Sequence, residues 1–172
     1  MKITVKISGK TLDEVREDLV RPHPFAWERV GFLTACAAKV PRGLLLLVDK
    51  YLTVEDEDYE RNETVGAQIG SDAMRKAVQA AYRPKRALLH IHSHGGLGKP
   101  HFSGVDLRSA DEFIPGLFSP IPAMPHGLLV LSDDDANGKL WLGTERGAVK
   151  INEFIRVDSH YSKKWRRAND LA

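Results

Sequence analysis

The sequence predicts an α/β fold in which a mixed, largely antiparallel β-sheet is sandwiched by helices. Three observations carry this reading. Apolar residues alternate with polar ones at Ile3, Val5 and Ile7 and again toward His90, His92 and His94, which is the two-residue period of strands. Between such runs lie stripes at helical spacing, Leu12, Val15 and Leu19 and then Met74, Ala77, Val78 and Ala81. Finally, Pro41-Arg42-Gly43 and Asn137-Gly138 are turn signals between apolar runs, and these predict hairpins and hence antiparallel pairing.

The first strand alternates and lacks a continuous apolar core, so it does not read as a signal peptide; Ser8-Gly9-Lys10 closes it. Thr11 to Glu14 has the form of a capping box for a helix that stops at Pro22 and Pro24. His23 lies in a turn and Trp27 reads as half-buried packing. A strand is predicted from Glu28 to Val40, with Cys36 inside it as a buried small hydrophobe. After the turn, Leu44 to Val54 is apolar on both faces at its start, as in a central strand. Glu55 to Asp58 then forms a solvated acidic loop.

Ser71-Asp72 opens the second helix, which ends at Arg83-Pro84 and delivers the chain into a strand over residues 87 to 94. A third helix is expected from Ser103 to about Phe118, with Val105, Ala110, Phe113 and Ile114 toward the core. Residues 119 to 125 are too proline-rich for a regular element and read as a cleft wall. Strands at Gly127 to Ser132 and Lys139 to Thr144 flank a turn containing Asn137-Gly138. His126 reads as structural. A last strand spans Val149 to Val157, and the basic stretch Lys163 to Arg167 reads as a solvated end.

With 172 residues, 42% of them hydrophobic, the chain is expected to form one domain over residues 1–172 with a short basic C-terminal tail. A chain of that size buries roughly 70% of its unfolded surface. The 25 basic and 23 acidic residues nearly cancel, so no global field points to nucleic acid or membrane. One cysteine excludes an internal disulfide and any four-cysteine zinc site. A cytoplasmic protein that binds neither nucleic acid nor membrane is expected. Gly96-Leu97-Gly98-Lys99 is not a phosphate loop, since no Ser or Thr follows the lysine.

The chemistry concentrates between His90 and Asp106. Strand alternation puts His90, His92 and His94 on one face, where two imidazoles can converge on a metal as neutral ligands. Asp106, near a helix start, supplies a carboxylate and leaves one coordination position open, as in a catalytic site. Borderline and hard ligands favour zinc, one ion per chain, ahead of iron, manganese or nickel. Ser103-Gly-Val-Asp106 also has the form of a helix cap, and the two roles are compatible if Ser103 caps the helix while Asp106 points back at the histidines.

Glu28, His92-Ser93-His94 and Ser103-Gly104-Val105-Asp106 together resemble the JAMM motif (JAB, MPN+) of zinc metalloproteases, and Glu28-Arg-Val-Gly31-Phe-Leu33 is similar to the E-x-x-G-x-L context of that family's glutamate. The resemblance covers roughly residues 10 to 145 and looks like the short prokaryotic type. Its spacer, residues 95 to 102, is one residue longer than usual, and Gly95 stands where proline is common. The resemblance implies a JAB/MPN, cytidine-deaminase-like fold, zinc on His92, His94 and Asp106, Glu28 as general base and Ser103 as oxyanion donor. His90 then stands behind the ligands. It further implies an isopeptidase or peptidase acting at the C-terminal tail of a ubiquitin-like protein, the tail binding by strand addition beside the site. The alternatives are release of a small amino acid from a sulfur-carrier protein, or a non-catalytic MPN scaffold.

Overall fold

The computed structural model describes residues 1–24, 26–62, 64–145, 147–158 and 162–164, the last group as backbone alone. Its elements in chain order are β1 (Lys2–Ser8), α1 (Gly9–Leu19), β2 (Val30–Val40), β3 (Gly43–Thr53), α2 (Ser71–Tyr82), β4 (Ala87–Ser93), α3 (Gly104–Leu117), β5 (His126–Leu131), β6 (Ala136–Trp141), β7 (Val149–Lys150), β8 (Glu153–Val157) and β9 (Ser162–Lys164). The nine described strands form one sheet in the order β7-β6-β5-β4-β2-β3-β1-β8-β9. Five of its eight pairings are antiparallel and three (β1 with β3, β1 with β8, β4 with β5) are parallel. The mixed, largely antiparallel α/β class is therefore present.

The sheet is strongly curled. β7 and β8 stand far apart in the strand order, yet only Ile151 and Asn152 separate them. An extended chain covers at most about 11 Å in three Cα steps, so the sheet bends until β6 and β1 approach each other. Ile151 N–H donates to the Gly138 carbonyl at 2.9 Å and Asn152 N–H to the Ile3 carbonyl at 2.9 Å, while the Asn152 side-chain oxygen accepts from Ile3 N–H at 2.7 Å. The apolar stripe of α1 packs into the face so enclosed, where Leu12, Val15 and Leu19 meet Leu33, Leu46, Leu89 and Phe154. Burying each such side chain contributes about 1.5–3 kcal/mol.

α2 and α3 cover the other face. Ala73, Ala77 and Ala81 bring α2 close to Phe32 and Leu88, and Ala110 and Ile114 of α3 pack on Leu128 and Trp141. β4 lies in the middle of this arrangement. Leu89 and Ile91 point to the α1 side and Leu88 to the α2 side, so the histidines, in phase with Leu88, face α2 and α3.

Several local expectations change. α1 begins at Gly9 and is capped by Ser8, whose hydroxyl accepts from Thr11 N–H at 3.0 Å, so Thr11 is not the cap. The β5–β6 turn is Ser132 to Asp135, closed by Ser132 N–H to the Asp135 carbonyl at 3.0 Å and Asp135 N–H to Ser132 Oγ at 2.9 Å. Asn137 and Gly138 lie inside β6. Gly138 is needed there for space, since a Cβ would sit 2.7 Å from Ile151 and Leu129 side-chain carbons. The segment Val149 to Val157 is split between β7 and β8. Cys36 is only half-buried. Val105, on the first turn of α3, is 39% exposed rather than core.

Residues 119–125 do not line the cleft, because Ile121 is fully buried in the core and accepts a hydrogen bond from His126 at 3.2 Å. His126 is structural as expected: its Nδ1 accepts from Leu88 N–H at 3.2 Å. The acidic run forms a short 3-10 turn, and two of its carboxylates have internal partners, Asp56 with Arg29 and Asp58 with Lys76. Trp165-Arg166-Arg167 of the basic tail lies outside the described residues. No described helix is long and apolar enough to cross a membrane.

Candidate metal centre

Two regular elements supply the nitrogen and oxygen donors on one side of a cleft of about 650 Å³. β4 runs parallel to β5, and just past its end His94 N–H still donates to the Leu131 carbonyl at 3.0 Å, so His94 keeps the phase of His90 and His92. The chain then turns away through Gly95 (φ 62), Gly96 (φ 70) and Gly98 (φ 88). A side chain would strain these left-handed positions. That loop is tied to the β5–β6 turn, Gly98 N–H donating to Asp134 Oδ1 at 2.6 Å and Asp133 N–H to the Gly96 carbonyl at 2.8 Å.

α3 opens with a complete capping box. Ser103 Oγ accepts from Asp106 N–H at 3.1 Å, and Asp106 Oδ2 accepts from Ser103 N–H at 2.6 Å. This folds the Asp106 carboxylate back toward β4. Its Oδ2 lies 3.5 Å from His92 Nε2 and 3.6 Å from His94 Nε2, and the two Nε2 atoms are 3.2 Å apart. Burial raises the Asp106 carboxyl, but the hydrogen bond and charge of His92, with the bonds from Ser103, outweigh it and hold the group well below the usual carboxylate range. It is an anion at neutral pH.

Glu28 comes from irregular chain. It precedes β2 rather than lying in it, because Trp27 N–H and Glu28 N–H both donate to the Gly66 carbonyl, at 2.9 and 3.0 Å, and so leave the sheet ladder. Its Oε1 is 4.0 Å from His94 Nε2. The ligand atoms of Glu28, His92 and His94 all lie within 4.8 Å of one another, a grouping that could hold a metal ion.

The donors fit a small divalent cation. A tetrahedral site with arms of about 2.0–2.1 Å has ligand-to-ligand edges of about 3.3–3.4 Å. The His92, His94 and Asp106 separations bracket that edge, whereas Glu28 stands farther off. His92 Nδ1 is buried and makes no hydrogen bond among the described residues, so Nε2, facing the cleft, is the nitrogen presented to a ligand.

His90 lies deeper on the same face. Its ring is flanked by Phe32 at 5.3 Å, Phe113 at 5.6 Å and His92 at 5.9 Å between centroids. Burial, and then the neighbouring His92, push its pKa down to about 3, so it is neutral. The remaining predicted site residue, Ser103, lines the cleft with its hydroxyl proton free of the cap, since the oxygen acts there as acceptor.

Sequence reasoning missed the opposite wall. Residues 64–70 line it, carried by a short ribbon in which Tyr59 bridges Ile69, Glu60 N–H donates to the Gln68 carbonyl at 2.9 Å and Gly70 N–H to the Asp58 carbonyl at 2.8 Å. Gly66 leaves room for the Glu28 carboxylate: a Cβ there would lie 2.6 Å from Glu28 Oε2. The spacing Gly66-x-x-x-Gly70 was the available signal, and it gives no hint of its partner 38 residues upstream. Trp27 is 85% exposed at the cleft rim, not half-buried. Strand addition beside the histidines is closed off at this sheet, since β4 is paired on both sides by β2 and β5.

No protein-family model matches the chain, and no curated protein matches it. Among solved structures, the STIL N-terminal domain of Trichoplax adhaerens is similar with a TM-score of 0.39 at 10% identity, over 80% of this chain and 40% of that one. The chain thus spans well under half of that structure's length. A likeness at this level carries no argument about fold family or function.

Proposed function

We propose that this protein is a zinc-dependent hydrolase of the JAMM type with a JAB/MPN, cytidine-deaminase-like fold, cleaving the amide bond that follows the C-terminal tail of a ubiquitin-like protein. The observation that carries the reading is the triangle of His92 Nε2, His94 Nε2 and Asp106 Oδ2, with sides of 3.2, 3.5 and 3.6 Å, and a second carboxylate, Glu28, set 4.0 Å from one corner. His92, His94 and Asp106 hold the ion, and Glu28 is too far out to share the same tetrahedron.

A zinc ion bound there supplies Lewis-acid polarisation of the scissile carbonyl and lowers the pKa of water. Glu28, one-third exposed at the cleft, takes a proton from the attacking water and returns it to the departing amine nitrogen. Ser103 donates its hydroxyl hydrogen to the oxygen that gains charge as the carbonyl becomes tetrahedral. Its cap bond fixes the oxygen while leaving that hydrogen directed by the substrate. The cleft suits an extended, small-residue tail: its far wall is half-buried chain around Gly66 and Gly70, and Trp27 offers an aromatic face at its mouth.

The test is cleavage of a carboxyl-terminal fusion of a ubiquitin-like protein by the zinc-loaded chain, beside a sulfur-carrier protein extended by one small amino acid. Cleavage of the fusion by wild type and not by Glu28→Ala supports the proposal. Cleavage of the extended carrier alone moves the substrate to that class. Stoichiometric zinc with neither product formed, or no zinc at all, sinks the hydrolase reading and favours a scaffold.

A further inference from the structure

Directly behind Glu28 lies a buried cation that the chemistry above does not use. Glu28 lines the cleft, whereas Arg29, the next residue, is buried in the protein and is not among the residues that line it. The Arg29 side chain is 2% exposed. Its Nε donates to the Arg21 carbonyl at 2.9 Å and its Nη2 to the Pro22 carbonyl at 2.8 Å, and Nη2 also meets Asp56 Oδ1 at 2.8 Å. The guanidinium carbon lies 6.0 Å from the centre of the Tyr59 ring. Burial of a guanidinium is costly unless it is paired, and the planar fork makes these bonds only in one orientation.

The same residues reach the Glu28 backbone a second way. The Tyr59 hydroxyl accepts from Val30 N–H at 2.9 Å and donates to the Val30 carbonyl at 3.2 Å, while Tyr59 bridges Ile69 in the ribbon that carries Gly66. Gly66 in turn holds the Trp27 and Glu28 amides. Arg29 and Tyr59 therefore tie together the loop before Glu28, the strand after it and the wall beside it. Asp56, half-exposed, gives the acidic turn a role: it is the counter-charge of the buried cation.

We propose that Arg29, neutralised by Asp56, is a positioning residue that holds Glu28 beside the His92, His94 and Asp106 triangle, where it can take a proton from the attacking water, without itself touching substrate or metal ligands. The proposal rests on the hydrolase reading for its kinetic form. Its geometric form, that Arg29 fixes the Trp27–Glu28 backbone, does not.

The experiment compares zinc-loaded wild type with Arg29→Met, Arg29→Lys and Asp56→Asn, each also in a Glu28→Gln background, using the fusion substrate. Arg29→Met is expected to lower kcat about 10²-fold, the scale of a 1 Å misplacement, with KM and zinc content unchanged. Arg29→Lys recovers part of the loss, and Asp56→Asn, at the half-exposed end, lowers kcat a few-fold. None changes the residual rate once Glu28 is Gln. Equal losses in both backgrounds, or a folded Arg29→Met with wild-type kcat, overturn the proposal. If Arg29→Met does not fold, Arg29→Lys and Asp56→Asn carry the same comparison. Amide exchange reads the geometry whether or not the substrate is cleaved: faster exchange at Trp27 and Glu28 with β5 amides unchanged supports the proposal, and uniform acceleration across the chain overturns it.

Discussion

The two walls of the cleft are built by opposite means. On one side, His92 and His94 lie on and just past a central strand and Asp106 at a helix start, and each is placed by a short-range rule: alternation along β4 and a capping box four residues long. On the other side, Glu28 sits on irregular chain whose position depends on Gly66, Tyr59 and Asp56, all 28 or more residues away in sequence. The ligand wall is paired on both flanks in the sheet and is hard to deform. The base wall is held by a few hydrogen bonds and one buried cation, so its geometry responds to small changes that leave the fold intact. The division suits the proposed roles, since a metal site needs fixed donors and a proton carrier needs reach.

Substitutions that separate the walls sharpen this comparison. Ser103→Ala has the largest expected effect, because it removes a donor worth about 10²–10³ in kcat together with a helix cap worth about 1 kcal/mol. Ser103→Asp restores the cap and the thermal midpoint but not the rate, so a rate that recovers with stability would reduce Ser103 to a cap. Gly66→Ala is next. The new Cβ meets only the mobile end of Glu28, at 2.6 Å, so the carboxylate moves while the fold does not. The rate is expected to fall about 10²-fold with zinc content and thermal midpoint nearly unchanged. A drop in midpoint with little loss of rate would show that Gly66 serves the ribbon and not Glu28.

Smaller effects are expected from the rim and the interior. Trp27→Ala raises KM about fivefold or more, the factor for roughly 1 kcal/mol of lost contact, and leaves kcat in place; an unchanged KM removes Trp27 from the substrate path. His126 is the interior control. Burial lowers its pKa, and protonating Nδ1 would break the bond from Leu88 N–H. Its folded pKa lies below the unfolded value of about 6.5, so its contribution is complete above that pH and is lost as pH falls toward the folded value. Urea unfolding at pH 8 and pH 5 should show a larger acid loss for wild type than for His126→Gln. Equal losses would mean that His126 is not held neutral.

That His92, His94 and Asp106 would meet on one wall was legible in the sequence, because the rules that place them are local. The His92-Ser93-His94 alternation and the Ser103-to-Asp106 cap needed no knowledge of the rest of the chain. Elsewhere local signals competed and tertiary contacts decided. Asn137-Gly138 has the chemistry of a hairpin turn, but Ser132 and Asp135 close the turn earlier, and Gly138 is kept by the crowding of Ile151 and Leu129. Thr11 fits a capping box, yet Ser8 takes the cap. Val149 to Val157 reads as one strand because nothing in its composition announces that the sheet curls and that Ile151 and Asn152 cross between its two ends. Gly66, Arg29 and Tyr59 went unread as site residues for the same reason: each acts through a contact that only the folded chain creates.

The central claim is the division of labour between two carboxylates, Asp106 as ligand and Glu28 as proton carrier, although both lie near the histidines. Zinc affinity by competition with a chromophoric chelator, measured on wild type, Asp106→Asn and Glu28→Gln, tests it directly. The account predicts one zinc per chain in wild type and in Glu28→Gln, with affinities within about threefold (roughly 0.6 kcal/mol), and loss of stoichiometric zinc in Asp106→Asn. Zinc retained by Asp106→Asn and lost from Glu28→Gln would contradict it, making Glu28 the third ligand and leaving the proton transfer without a carrier.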